Sequence, residues 1–178
     1  MTGPQISQNP LLPAWTDPFG LPPFGAVMPE HFRPAFDAAL AAHRREIDAI
    51  ATDPAAPSFD NTIAALERSG RDLDRVGSAF WVLAGANTSD AIEAVERDIS
   101  PLLARHSNAL YLNRALYARI AGLYERRDAL GLSSEQARVL DRYHTRFARA
   151  GGALDKPAQD RLQRTGSRCR VTTQAYAR

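Results

Sequence analysis

The chain has 178 residues, 44% of them hydrophobic and 24% charged, with twelve prolines, eleven glycines and one cysteine. This make-up excludes a disordered tail, a collagen-like repeat and a disulfide scaffold, and no apolar run approaches the roughly 18 residues of a membrane-spanning helix. Of the 22 basic residues that face 20 acidic ones, Arg164, Arg168, Arg170 and Arg178 follow residue 163, where Asp and Glu do not occur; the rest is 18 against 20, which is no footprint of a nucleic-acid-binding face.

Residues 1–8 lack the basic patch and apolar core of a secretory signal, and one thiol makes no internal disulfide, so a cytoplasmic location is expected. Residues 1–28 hold much of the proline, which lacks an amide donor and restricts the residue before it, so an extended arm is predicted. Trp15, Phe19, Leu21 and Phe24 make that arm too apolar for a free linker. It is expected to pack on the chain's own helices, with docking on a separate domain or partner as the alternative.

Over residues 29–50 Phe32, Phe36, Leu40, Ile47 and Ile50 recur at helical spacing, with Ala39 and His43 on the same stripe. Pro29 suits a first turn, and Thr52-Asp53-Pro54 ends the segment. A second helix is predicted from Asp60 or Asn61 as cap, running on Ile63, Leu66, Leu73, Val76, Phe80 and Leu83. Gly70 and Gly77 fall inside it, each costing up to about 1 kcal/mol relative to Ala, and close approach of a neighbouring helix is the expected reason for them. A third helix over 90–110 carries Ile92, Val95, Ile99, Leu102 and Leu103, with a kink or break near Pro101. Asn113 is predicted to cap a fourth, on Leu116, Tyr117, Ile120, Leu123 and Tyr124, which ends near Gly131. Ser133 and Gln136 form a capping box for a fifth, on Val139, Leu140, Tyr143 and Phe147, stopped at Gly151-Gly152; a short sixth follows Asp155. With no sustained alternation of period two, the predicted fold is all-α: five to six antiparallel helices in one helical domain over 29–163, then a basic tail over 164–178.

Chemistry is scarce. His31, His43, His106 and His144 include no pair four residues apart, so the His-Glu-x-x-His arrangement that grips zinc from one helical face is missing, and Met28-Pro29-Glu30-His31 has its letters in the wrong order. His43 and His106 lie on or beside apolar stripes and are expected as satisfied, partly buried histidines. Cys169 has no predicted base beside it, Gly151-Gly152 lacks a phosphate-loop Lys partner, and no Gly-x-Ser-x-Gly elbow occurs. The paired carboxylates Asp72 with Asp74, Glu93 with Glu96, and Asp53 with Asp60 sit among arginines on predicted solvent faces and are expected as surface ion pairs. No catalytic, cofactor-binding or metal-ligating residue is assigned.

Several short motifs nonetheless occur in a fixed order: Asn9-Pro10-Leu11-Leu12, Leu21-Pro22-Pro23-Phe24, Pro29-Glu30-His31-Phe32-Arg33-Pro34-Ala35-Phe36, Phe59-Asp60-Asn61-Thr62-Ile63 with Leu66-Glu67-Arg68-Ser69-Gly70, Tyr111-Leu112-Asn113, and Arg146-Phe147 before Ala150-Gly151. In this order they resemble the N-terminal region of M3-family zinc metallopeptidases, most of all the peptidyl-dipeptidase group with the oligopeptidases as near relatives, over about residues 9–163. The resemblance implies a cytosolic, mostly helical enzyme that hydrolyses short peptides and releases C-terminal dipeptides, with the N-terminal helices in the wall of a deep channel. It also implies that the zinc helix, the third carboxylate ligand and the transition-state-stabilising residues lie in a C-terminal part with no matching positions here. Zinc is then a cofactor of the full-length family and not of this chain, which is expected to be inactive alone.

After Gln163 the pattern is lost, and residues 164–178 are read as a frameshifted or prematurely ended frame. Two functions fit these features. One is the channel-wall part of a peptidase whose partner is the catalytic domain, meeting oligopeptides only in that context. The other is a stand-alone helical interaction module that pairs with a separate catalytic chain or with itself. Neither nucleic acid nor membrane is expected as a partner.

Overall fold

The computed structural model describes residues 9–161 except 17, 156 and 160. Residues 1–8 of the arm, the tail over 164–178 and Cys169 lie outside the described residues. Six α-helices follow one another: α1 (Pro29–Ala51), α2 (Ala65–Arg68), α3 (Arg71–Ala86), α4 (Asp90–Tyr111), α5 (Arg114–Glu125) and α6 (Ser134–Ala150). A single π-turn, Phe59–Ala64, leads into α2, and there is no strand among the described residues. The fold is all-α.

The helix ends follow local chemistry. Asn113 Oδ1 accepts the Leu116 amide at 3.0 Å. Ser133 Oγ accepts the Gln136 amide at 3.2 Å while Gln136 Oε1 accepts the Ser133 amide at 3.0 Å, so each satisfies a donor the helix cannot. At the far end of α6 the Gly152 amide donates to Phe147 O and the Gly151 amide to Ala148 O, with Gly151 at φ 95°, a Schellman stop. Asp155 Oδ1 accepts the Ala158 amide at 2.8 Å and opens a helical segment at 157–159. α4 runs through Pro101 without a break.

The second predicted helix departs from expectation. Its cap is Ser58, whose hydroxyl accepts the Asn61 amide while Asn61 Oδ1 accepts the Ser58 amide. Its start is a π-turn, with the Ala65 amide reaching Asp60 O. It also stops at Gly70, which adopts φ 76°, a left-handed conformation that ends α2 before α3 begins. The apolar stripe continues across the break, so periodicity alone reads one helix where there are two.

The chain divides into two compact units, the described residues up to Ala49 with Leu66–Ser107, and Ile50–Ala65 with the described residues from Asn108 onward. The core of the first is built by Phe32, Ala35, Phe36 and Ala39 of α1, Val76, Ala79 and Phe80 of α3, and Ile92 and Ile99 of α4. Phe80 meets Phe32 and Phe36 edge to face at 5.0 and 5.7 Å, the arrangement aromatic quadrupoles favour. The arm enters this core through Leu11, which is wholly buried. Asn9 holds the entry: its Nδ2 donates to His31 O at 2.7 Å and its Oδ1 accepts the Leu11 amide. Arg75 donates to Leu12 O at 2.8 Å and lies over the Trp15 ring. In and beyond a short 3-10 turn at Pro18–Gly20 the arm leaves Phe19, Leu21, Phe24 and Met28 exposed, Phe19 at 98%. In the second unit α5 packs on α6 and both pack on the π-turn, burying Ile63, Leu116, Ile120, Leu123, Leu140 and Phe147.

Candidate functional site

Two of the four histidines meet in the first unit. His43 projects from α1 and His106 from α4, and His106 Nε2 lies 2.9 Å from His43 Nδ1. His43 Nε2 is 3.3 Å from Ser69 Oγ, which itself donates to Leu66 O at 2.7 Å. The next residue, Gly70, gives its amide to Glu46 Oε2 at 2.7 Å. A Cβ on Gly70 would stand 3.0 Å from the His43 ring, so the close approach expected of this glycine is the packing of α1 against the turn. The same expectation fails at Gly77: among the described residues only Trp81 of its own helix comes within 4 Å of a Cβ there.

Burial holds both imidazoles below the ordinary value of 6.5. At His43 the carboxylates of Glu46 and Asp74 oppose that shift. At His106 the neighbouring His43 and the Arg44 guanidinium add to it. Beside Asp74 a groove of about 710 Å³ opens between Phe36 of α1, Leu73, Gly77, Trp81 and Val82 of α3, and Leu103 of α4. Trp81 and Val82 are about half exposed, an apolar surface with no covering element among the described residues.

The other predicted residues are dispersed. His31 Nδ1 accepts the Met28 amide at 3.0 Å and serves the start of α1. His144 stacks flat on Tyr124, 3.9 Å between centroids. Asp72 with Arg75 and Glu93 with Arg97 are ion pairs one helical turn apart, their carboxylates exposed. Asp53 corrects the expectation of a solvent-face pair. It lies in the loop after α1, where the buried Arg119 of α5 donates to Asp53 O at 2.7 Å, to Ala55 O at 3.1 Å and to Asn61 Oδ1 at 3.1 Å, with Asp53 Oδ2 at 3.4 Å. Neither Arg119 nor Ser69 stands out in the sequence as a site residue. Arg119 did leave a signal, a charge in register with Leu116, Ile120 and Leu123 on the buried stripe of α5.

Zinc does not fit this part of the molecule. Among the described residues no three His, Cys, Asp or Glu side chains are grouped to hold a metal ion. The histidine pair offers two facing nitrogens already joined by a hydrogen bond, short of the three protein ligands of a catalytic zinc centre. What the cluster can do is bind protons and tie helices together.

The described residues thus form an all-α region with a buried polar junction and an apolar groove. Its relatives are peptidases. The chain is 42% identical over 158 residues to dipeptidyl carboxypeptidase of Salmonella typhimurium and 40% identical over 157 residues to that of Escherichia coli, covering 89% and 88% of this chain. It is 28% identical over 160 residues to oligopeptidase A of Salmonella typhimurium. It spans about 23% of the length of each of these relatives. No protein-family profile matches the chain. The matches make the chain similar to M3-family peptidases, over the N-terminal quarter of the dipeptidyl carboxypeptidases.

Proposed function

We propose that this chain is the N-terminal helical part of an M3-type peptidyl-dipeptidase, one side of a channel that admits short peptides, and that the zinc-dependent release of C-terminal dipeptides is carried out by residues outside these 178. The observation that carries this is the 42% identity over 158 residues to a dipeptidyl carboxypeptidase. The half-exposed Trp81 and Val82 and the exposed Phe19, Leu21 and Phe24 support it, as apolar surface available to the catalytic polypeptide. A cytoplasmic location goes with this function; no helix of the described residues is long and apolar enough to cross a membrane.

The test is a cleavage assay with zinc and a short peptide. The chain alone releases no dipeptide, and activity appears when it is mixed with the remainder of the Escherichia coli dipeptidyl carboxypeptidase. Dipeptide release by the chain alone, or no activity from the mixture, overturns the proposal. The same exposed apolar residues also favour a second function, an interaction module that pairs with a separately encoded catalytic chain or with another copy of itself.

A further inference from the structure

α1, α4 and the turn between α2 and α3 share one polar junction, and its hydrogen bonds determine where its protons sit. Ser69 has a single hydroxyl proton and spends it on Leu66 O, 2.7 Å away. Towards His43 Nε2 its oxygen therefore accepts, so His43 carries its proton on Nε2. His43 Nδ1 is then a lone pair, which accepts the Nε2 proton of His106 at 2.9 Å. That leaves His106 Nδ1 as a bare basic lone pair, buried and without a hydrogen-bond partner among the described residues. His106 as a whole is 6% exposed.

We propose that Ser69, His43 and His106 form an acid-sensitive latch between α1 and α4, which takes a first proton at His106 Nδ1 with every hydrogen bond kept and opens when a second proton reaches His43 Nδ1. The first proton leaves the His106 Nε2–H···Nδ1 His43 bond in place and strengthens it, because the donor is then a cation. The second puts two N–H groups and two positive charges face to face at 2.9 Å, and the contact cannot hold. The hydrogen bonds alone set this order, and the charged groups around the pair act against it. Arg44 on α1 opposes the first proton at His106. Glu46 on α1 and Asp74 on α3 favour a charge on His43, and from α4 the group that faces His43 is His106 itself. The α2–α3 turn stays on α1 through the bond from the Gly70 amide to Glu46, so it is α4 that is released.

Imidazole ¹⁵N shifts of the full 178-residue chain, followed from pH 8 to 4.5 together with amide hydrogen exchange, test this. At neutral pH both Nδ1 atoms give the shift of an unprotonated nitrogen. On acidification His106 Nδ1 is the first ring nitrogen to move, and once it has moved, protection factors around residue 106 fall by about tenfold per pH unit, because the opened form takes a second proton at His43 that the latched form cannot hold. His106→Gln removes the second step: its amide donates to neutral His43 and, turned over, accepts from the protonated ring. Protection in that variant then stays within about twofold over the same range. If the variant does not fold, the order of protonation in the unaltered chain decides alone. A first proton on His43, or α4 protection that stops falling once His106 has titrated, overturns the latch, and so does a folded His106→Gln chain that keeps the full acid response.

Discussion

Gly70 and Arg119 each hold a place that another residue type fills badly. Gly70 sits at φ 76° with the His43 ring 3.0 Å from where a Cβ would be. Alanine there meets both the left-handed backbone cost and the ring, and Gly70→Ala is expected to lower stability by about 2 kcal/mol in urea unfolding. A loss below a few tenths would show that the turn relaxes freely. Arg119 holds the loop at 53–55 and the start of the π-turn by donating to three carbonyl or amide oxygens. Replacing it by Met keeps the length of the side chain but leaves those acceptors to water, at a cost of about 2 kcal/mol, with faster proteolytic nicking of the loop as the local readout. Arg126, which donates to Pro57 O at 2.6 Å, remains to hold the loop's far end, so the second unit is expected to stay folded.

Between helices, the histidine pair gives α1 and α4 a pH dependence whose sign follows from burial. Both imidazoles are held below 6.5 in the folded chain, whereas in the unfolded chain they bind protons at about that value. Above pH 6.5 neither state binds the protons, and the stabilisation is fully present. As pH falls below 6.5 the unfolded state takes protons first, and stability drops until the folded pair is protonated too. The midpoint of thermal unfolding is therefore expected to be flat above pH 7 and to decline as pH falls below 6.5, with a shallower decline in His106→Gln; equal slopes would remove the pair from the cause. The helices themselves were legible in the sequence. Asn113, the Ser133 box and the Gly151 stop each act within one or two turns, and their partners are neighbours in the chain. The break at Gly70 was not, because the stripe from Leu66 to Leu73 keeps helical register across it, and the His43 ring that fills the space of a Cβ there comes from 27 positions away.

The whole molecule presents apolar surface in excess of what its own helices cover. Phe19, Leu21, Phe24 and Met28 on the arm and Trp81 and Val82 beside the groove are exposed in one unit. Sedimentation velocity is expected to show self-association that strengthens with concentration and is weakened by Trp81→Arg, a change at a half-exposed position outside the core. A monomer at every concentration would remove support from both the docking surface and the pairing module. Under the proposed function the cover would be the catalytic remainder of a longer peptidase, since the chain spans about 23% of the length of its dipeptidyl carboxypeptidase relative.

Amphipathic periodicity and capping chemistry, which act over a few residues, were enough to specify an all-α chain, most of its helix ends and the order of motifs that points to its relatives. Packing decided the rest: that His43 and His106, 63 positions apart, face each other with one lone pair left over, that Arg119 turns inward to a loop 66 positions earlier, and that Trp81 stays uncovered. Those contacts depend on which helical faces meet, and local preference is the same whichever faces do.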